Sequence, residues 1–221
     1  GGGDIVPNVI TLDMDHPAVL HLCKKDKRLA KVIEMVGTIQ YAPHDEDAYS
    51  FLVHEIIEQM LLVKTGQKIY DRLEELCGGS ISPEQICDLS DEQIRSTGTS
   101  NAKVEYIRNI TDAIEGGTLD FRKMQHLSDQ EVIATLTKIR GIGNWTAKMY
   151  LMFVLNRQDV LPFEDGAFLQ TYRWMYKTQD CNEKAVQSKC KKWKPYSSVA
   201  SRFCYRALDA GMTKEEFHLF K

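Results

Sequence analysis

Apolar residues along this chain recur at intervals of three and four, the period of a helix with one buried face, and strand-like alternation is scarce. The clearest stripe is Val104, Ile107, Ile110 and Ile114, on a helix that begins near Asn101 or Lys103 and is stopped by Gly116 and Gly117. Similar stripes predict helices over residues 18–36, 48–77, 145–155, 168–176 and 198–210. Three further starts carry a Ser with Gln or Glu three positions on: Ser82 with Gln85, where Pro83 takes the first helical position, Ser90 with Gln93, and Ser128 with Glu131. In such a capping box the two side chains satisfy backbone amides that have no partner inside the helix. No internal period of roughly 20 to 50 residues repeats, which excludes a solenoid. The pattern implies an all-α protein whose least regular connections, at 40–47 and 157–166, are loops able to carry a site.

Composition narrows the class. With 43% apolar and 27% charged residues among 221, the chain is globular rather than disordered or collagenous. The longest apolar run, Met149 to Leu155, falls far short of the roughly 20 residues that span a bilayer, so no membrane association is expected. Gly1, Gly2 and Gly3 read as an added remnant outside the fold. No export signal follows them, and six cysteines without a C-x-x-C pair fit reduced thiols in a cytoplasmic protein. The six His residues show no H-x-x-x-H spacing, so no catalytic metal is expected. The net charge is -3, yet residues 170–206 hold nine Lys or Arg against two acidic residues. Lys189, Lys191, Lys192 and Lys194 in that stretch suit either a solvated surface or attraction to a polyanion.

The most informative segment is residues 136–148, Leu-Thr-Lys-Ile-Arg-Gly-Ile-Gly-Asn-Trp-Thr-Ala-Lys. The helix opened by Ser128 is expected to run into Gly141, turn through three residues, and give way to a second helix near Asn144. Gly141 suits a positive φ at the end of the first helix, and Gly143 lets an external group approach the backbone. The amides of Gly141, Gly143, Asn144 and Thr146, at the positive end of the second helix, would then cradle a phosphate without reading sequence. From the glycines alone, a tight connection in a helical bundle is the better reading.

The surroundings of the hairpin add to this. The segment resembles the helix-hairpin-helix of the HhH-GPD superfamily of DNA base-excision glycosylases. Downstream, Asp159-Val160-Leu161-Pro162-Phe163-Glu164-Asp165 is similar to the loop ending in that superfamily's essential Asp, and Asp165 lies 24 residues after Gly141, which fits the family's spacing. Upstream, Ile56-Ile57-Glu58-Gln59-Met60-Leu61 resembles the family's Ile-Ile-Gly-Gln-Gln-Leu signature, with departures at Glu58, Met60 and Leu62. Trp193-Lys194-Pro195-Tyr196-Ser197-Ser198-Val199-Ala200 is similar to the Trp-Arg-Pro-Tyr-Arg-Ser-Val-Ala motif of the 3-methyladenine DNA glycosylase II branch, with a departure at Ser197.

The resemblance implies roles. Asp165 would be the catalytic carboxylate, a role it could combine with N-capping the helix that carries Phe168, with Glu164 beside it capping a helix or forming a surface ion pair. Trp145 stands where bifunctional members carry the Lys that forms a Schiff base, so a glycosylase without lyase activity is implied. Lys148, almost one turn on, suits a phosphate contact instead. Trp145, Met149 and Tyr205 would line the base pocket, where stacking and cation–π attraction favour a cationic alkylated purine. Met60, with Gln59 beside it, matches the residue that fills the gap left by the flipped base. The partner would be double-stranded DNA bearing a damaged base, the protein a monomer. No cofactor would be required, although family members can hold a structural monovalent cation on hairpin carbonyls.

Two helical lobes are expected, one from residues 50–165 with the helix-hairpin-helix at about 128–155, the other from 4–49 plus 166–221, and a cleft between them for the flipped base. The extra N-terminal β domain of some branch members is not expected, because nothing before residue 18 is long enough to form it. The rival functions are a glycosylase for deaminated or mismatched bases on the same scaffold, and a non-catalytic DNA-damage-binding protein.

Overall fold

Most of the anticipated helices form, and two of them break where a capping or strained residue intervenes. The computed structural model describes residues 8–221; the leading glycines lie outside that range. Strand β1 (Ile10–Leu12) precedes α1 (Pro17–Lys25) and α2 (Lys27–Val36), where one helix over 18–36 was expected. The break is Asp26, whose Oδ1 accepts from the amides of Arg28 and Leu29, at 3.1 Å each. A side chain committed to capping the next helix holds its own backbone in the extended region and ends the previous one. Its Oδ2 accepts from the Tyr176 hydroxyl and, at 2.9 Å, from Trp193 Nε1, so this buried carboxylate is fully engaged. Strand β2 (Ile39–Tyr41) pairs antiparallel with β1, Ile10 opposite Tyr41 and Leu12 opposite Ile39. Three residues a side are too few for alternation to be read from sequence.

The second break separates α3 (Ala48–Glu58) from α4 (Val63–Leu76) within the expected 48–77 helix. Then come α5 (Pro83–Cys87), α6 (Asp91–Arg95), α7 (Asn101–Glu115), α8 (Phe121–Met124), α9 (Asp129–Thr137) and α10 (Asn144–Phe153). The chain ends through α11 (Gly166–Tyr176), α12 (Glu183–Cys190), a 3₁₀ turn at Lys191–Trp193, and α13 (Ser197–Asp209). The capping boxes at Ser90 and Ser128 close in both directions, whereas at Ser82 the serine half is seen, accepting from Gln85 N at 3.2 Å. No helix of the described residues is long and apolar enough to cross a membrane.

The chain divides into two compact units, His44–Leu155 and the residues up to Pro43 together with Asn156–Lys221. The boundaries therefore fall earlier than the expected 49/50 and 165/166. β2 ties residues 39–41 to β1, and the stretch after Leu155 is tied to the start of α13. There Ser198 N donates to Gln158 O (2.9 Å), Val160 N to Ser198 Oγ (2.8 Å) and Ser197 N to Asp159 Oδ1 (3.2 Å). Asp165 consequently belongs with the chain ends. Within His44–Leu155, α3 packs on α4, α7 and α10, and the apolar stripe Val104, Ile107 and Ile110 is buried as expected. In the other unit α13 packs on α2 and α11 around Leu29, Val32, Phe168, Tyr172, Trp193 and Phe203.

Candidate functional site

The hairpin between α9 and α10 forms, with a shorter first helix than expected. α9 ends at Thr137, and tight turns follow in which Ile139 N donates to Leu136 O and Ile142 N to Ile139 O, both at 3.1 Å. Gly141 has φ 109°, but as part of the turn and not as a helix cap. A Cβ there would lie 2.3 Å from the Tyr106 ring of α7, so the ring takes the space a side chain would need. Arg140 O accepts from Asn109 Nδ2 at 3.0 Å, and Gly141 O from Gln59 Nε2 at 2.9 Å.

Gly143 is different. It is exposed, and a Cβ on it would meet nothing within 4 Å. It caps α10 with no side-chain hydrogen bond, unlike Ser128 at the start of α9. The amides opening α10, including those of Asn144 and Thr146, therefore receive nothing from a capping side chain, and the helix dipole adds positive potential there. Such a terminus suits a phosphate. Asn144 is exposed, the Thr146 side chain is buried, and Lys148 is half-buried on the same helix.

The loop after α3 is the other exposed feature of this unit. Met60 is fully exposed (102%) and has φ 62°, a left-handed conformation that a long side chain rarely takes. Leu62 and Val63 beside it are 79% and 73% exposed. Gln59, half-buried, bridges from this loop to the hairpin through Gly141 O. Glu58, a departure from the family signature, packs its Cγ where a Cβ on Gly66 would stand, and its Oε1 lies 3.0 Å from His54 Nε2.

His54 feels burial, which pulls its pKa down, but the Glu58 carboxylate beside it, with the charges of Glu55 and Asp71, outweighs this and raises it. A raised imidazole pKa gives stability that is complete below the unfolded value and lost as pH rises through the folded one. Glu58→Gln is therefore expected to lower Tm clearly at about pH 5.5 and hardly at all above about pH 8, the unfolded imidazole titrating near 6.5. Thermal melts across that range check it; an equal loss at both pH values would leave packing against Gly66 as the only role.

Trp145 is half-buried in the first turn of α10, and Met149, one turn later, is buried (5%). In the other unit, Asp165 ends the loop pinned to α13 and is itself the N-cap of α11, its Oδ2 accepting from Phe168 N at 2.9 Å. The cap is thus Asp165 and not Glu164, which is half-buried before it. Asp165 is 8% exposed, and its amide donates to Pro162 O at 2.9 Å. Tyr205 is half-buried on α13. Lys189, Lys191, Lys192 and Lys194 are exposed, with the ammonium groups of Lys189 and Lys192 at 5.1 and 5.7 Å from the Tyr176 ring centroid.

Several contributors escaped the sequence reading. Lys103 donates to Ile57 O and Gln59 O, and with Tyr106 and Asn109 it forms a polar stripe at spacing three along α7. That spacing was visible, though its purpose was not. Arg202, three residues before Tyr205, places its guanidinium 3.5 Å from the Tyr41 ring centroid, and the Tyr41 hydroxyl donates to Asn156 Oδ1 at 2.8 Å. Among the described residues, no group of three or more His, Cys, Asp or Glu is placed to hold a metal ion.

Comparison with known proteins places these elements. The profile of the HhH-GPD superfamily of base excision DNA repair proteins matches residues 53–195, from the middle of α3 through the hairpin and Asp165. The chain is 31% identical over 167 residues to DNA-3-methyladenine glycosylase 1 of Schizosaccharomyces pombe, covering 72% of each. Its fold is similar to the crystal structure of a DNA-3-methyladenine glycosidase from Bacillus halodurans, with TM-score 0.81 and 35% identity over 95% of this chain and 97% of that one. It is also similar to the 3-methyladenine DNA glycosylase of Schizosaccharomyces pombe in complex with abasic DNA, with TM-score 0.79 and 28% identity over 88% and 97% of the two chains. The described residues are mostly helical with one two-stranded sheet, and the chain belongs to the HhH-GPD superfamily of base excision DNA repair proteins.

Proposed function

We propose that this protein is a monofunctional DNA glycosylase that flips an alkylated purine of the 3-methyladenine type out of double-stranded DNA and hydrolyses its N-glycosidic bond. The observation that carries the reading is Asp165: a buried carboxylate fixed in one rotamer by its own helix cap, at the end of a tethered loop. The substrate class is supported by the names of the similar proteins, whose activity on 3-methyladenine is stated for them.

In the reaction so proposed, the C1′–N bond breaks and its electron pair leaves with the base. An N-alkylated purine is already cationic, so it departs neutral and needs little acid assistance. The sugar becomes oxocarbenium-like, and Asp165 stabilises that charge before water adds at C1′ and gives up its proton. Trp145 stacks on the flipped base, a contact of about 0.5 to 2 kcal/mol depending on desolvation; Met149 backs it one turn along α10, and Tyr205 supplies a second aromatic wall. Gly141, Gly143, Asn144, Thr146 and Lys148 hold the phosphates, and Met60, with Gln59 behind it, fills the hole in the duplex. This hydrolysis calls for no redox group. A structural monovalent cation at the hairpin would draw on turn carbonyls such as Arg140 O and Gly141 O, each of which accepts one hydrogen bond, from Asn109 and Gln59, and keeps a second lone pair.

Duplexes carrying a methylated, a deaminated or an oxidised base test the proposal when strands are compared with and without alkali. Release of the methylated base with breaks only after alkali is expected. Breaks without alkali would mean an amine nucleophile and a lyase. Release of deaminated bases alone would move the substrate class, and binding without release on every lesion would make the protein a damage binder.

A further inference from the structure

Lys103 occupies an expensive position. It is the third residue of α7, at the positive end of that helix, where a cation is disfavoured, and burial pushes its ammonium pKa down. What offsets this is a pair of short hydrogen bonds, from Nζ to Ile57 O at 2.7 Å and to Gln59 O at 2.6 Å. Both acceptors sit at the end of α3, where carbonyls lack helical partners and a cation meets the negative end of the dipole.

A helix end is ordinarily closed by a left-handed glycine. Here the left-handed residue is Met60, and its side chain, fully exposed, has no packing to hold it in that conformation. The tip is held through its backbone neighbours instead. Lys103 grips two carbonyls before it, Leu61 N donates to Glu58 O at 3.0 Å, and Gln59 Nε2 reaches Gly141 O. The same face of α7 then supports the hairpin, Tyr106 against Gly141 and Asn109 on Arg140 O. One helical stripe thus carries the exposed methionine at one end and the strand-gripping turn at the other.

We propose that Lys103 is the positioning residue of the wedge: its ammonium fixes the backbone that presents Met60, at a set offset from the hairpin, so that insertion and phosphate grip occur in register. The inference rests on the proposed role of Met60. It also makes Lys103 a residue that acts on base extrusion without touching DNA.

Lys103→Met keeps the apolar stem and removes the donors. The readouts are fluorescence of a 2-aminopurine next to the lesion, and single-turnover release of a methylated base from a full duplex and from a bubble where that base is unpaired. Release from the duplex is expected to slow about tenfold or more and release from the bubble to stay within about twofold, because only the paired base has to be extruded. Lys103→Arg is expected to recover most of the duplex rate, and Lys103→Met is expected to add little on top of Met60→Ala. Equal slowing on both substrates, or full additivity with Met60→Ala, would overturn the proposal. If Met at this position prevents folding, Lys103→Gln, a neutral donor one bond shorter in reach, weakens the clamp instead of removing it and is expected to give the same duplex-selective slowing in smaller measure. Should the unmodified protein release no base, the proposed function fails on its own, and fluorescence still decides the matter: the reporter unstacks with Lys103 and not without it, or it unstacks alike with both.

Discussion

Asp165→Asn is expected to slow base release by about 10² to 10³-fold or more while leaving DNA affinity almost unchanged, the range found when a group stabilising transition-state charge is removed. The asparagine oxygen can still accept from Phe168 N, the bond now made at 2.9 Å, and Asn ranks with Asp as a helix N-cap. The loop anchored by Ser197 and Ser198 does not depend on residue 165. The negative charge is lost, together with a few tenths to about 1 kcal/mol of favourable interaction with the α11 dipole, and the other carboxylate oxygen becomes an amide NH2. Asp165→Ala separates the two roles, since it loses the cap as well and should cost about 1 kcal/mol more in stability. Single-turnover release under saturating enzyme, binding to the same duplex and thermal melts together decide the matter. Release by the asparagine variant within tenfold of the unmodified protein would show that the carboxylate is not the group that meets the sugar.

The parts of this site that are readable in the sequence are those built by local chemistry. The boxes at Ser90 and Ser128, the helix stop after Glu115 and the start of α10 at Asn144 each depend on residues within one turn of chain. The cap at Asp165 is local in the same way, made with the amide of Phe168 three residues on, whereas the catalytic role proposed for that carboxylate comes from the family resemblance of its loop. What remained hidden depends on distant partners. Asp26 looks like one more polar residue in a helical stripe until Trp193 and Tyr176, 167 and 150 residues away, come to its carboxylate. The break after Glu58 is similar. Nothing within residues 48–77 says that the carbonyls of Ile57 and Gln59 have an ammonium waiting 46 and 44 residues downstream, and without that clamp a continuous helix is the better local reading. Gly141 reads along the chain as a helix-capping glycine with positive φ; the φ is positive, but the glycine lies in the turn, where the Tyr106 ring that takes its side-chain space is invisible from local sequence.

The two hairpin glycines should therefore respond in opposite ways to the same added methyl group. Gly141→Ala puts a Cβ 2.3 Å from the Tyr106 ring and 2.5 Å from its Cβ, at φ 109°. The ring cannot yield without shifting α7, whose adjoining face is the buried stripe of Val104, Ile107 and Ile110. Backbone strain of about 1–3 kcal/mol and overpacking of about 1–3 kcal/mol give an expected loss of about 2–6 kcal/mol. For a chain of this size that is a fall in Tm of roughly 5 to 20 °C. Gly143→Ala meets nothing within 4 Å at an ordinary φ of -98°, so its Tm should move by only a few degrees, roughly the preference for Gly over Ala at an N-cap. The open space beside Gly143 is where the phosphate is proposed to approach, and a methyl there pushes the strand away from the amides. DNA affinity is accordingly expected to fall about tenfold, equivalent to about 1.4 kcal/mol, in a protein that is otherwise intact. Melting curves and equilibrium binding to one duplex at fixed salt measure both effects. A Gly143→Ala protein that binds as tightly as the unmodified one would place the strand elsewhere, however well the rest of the hairpin is formed.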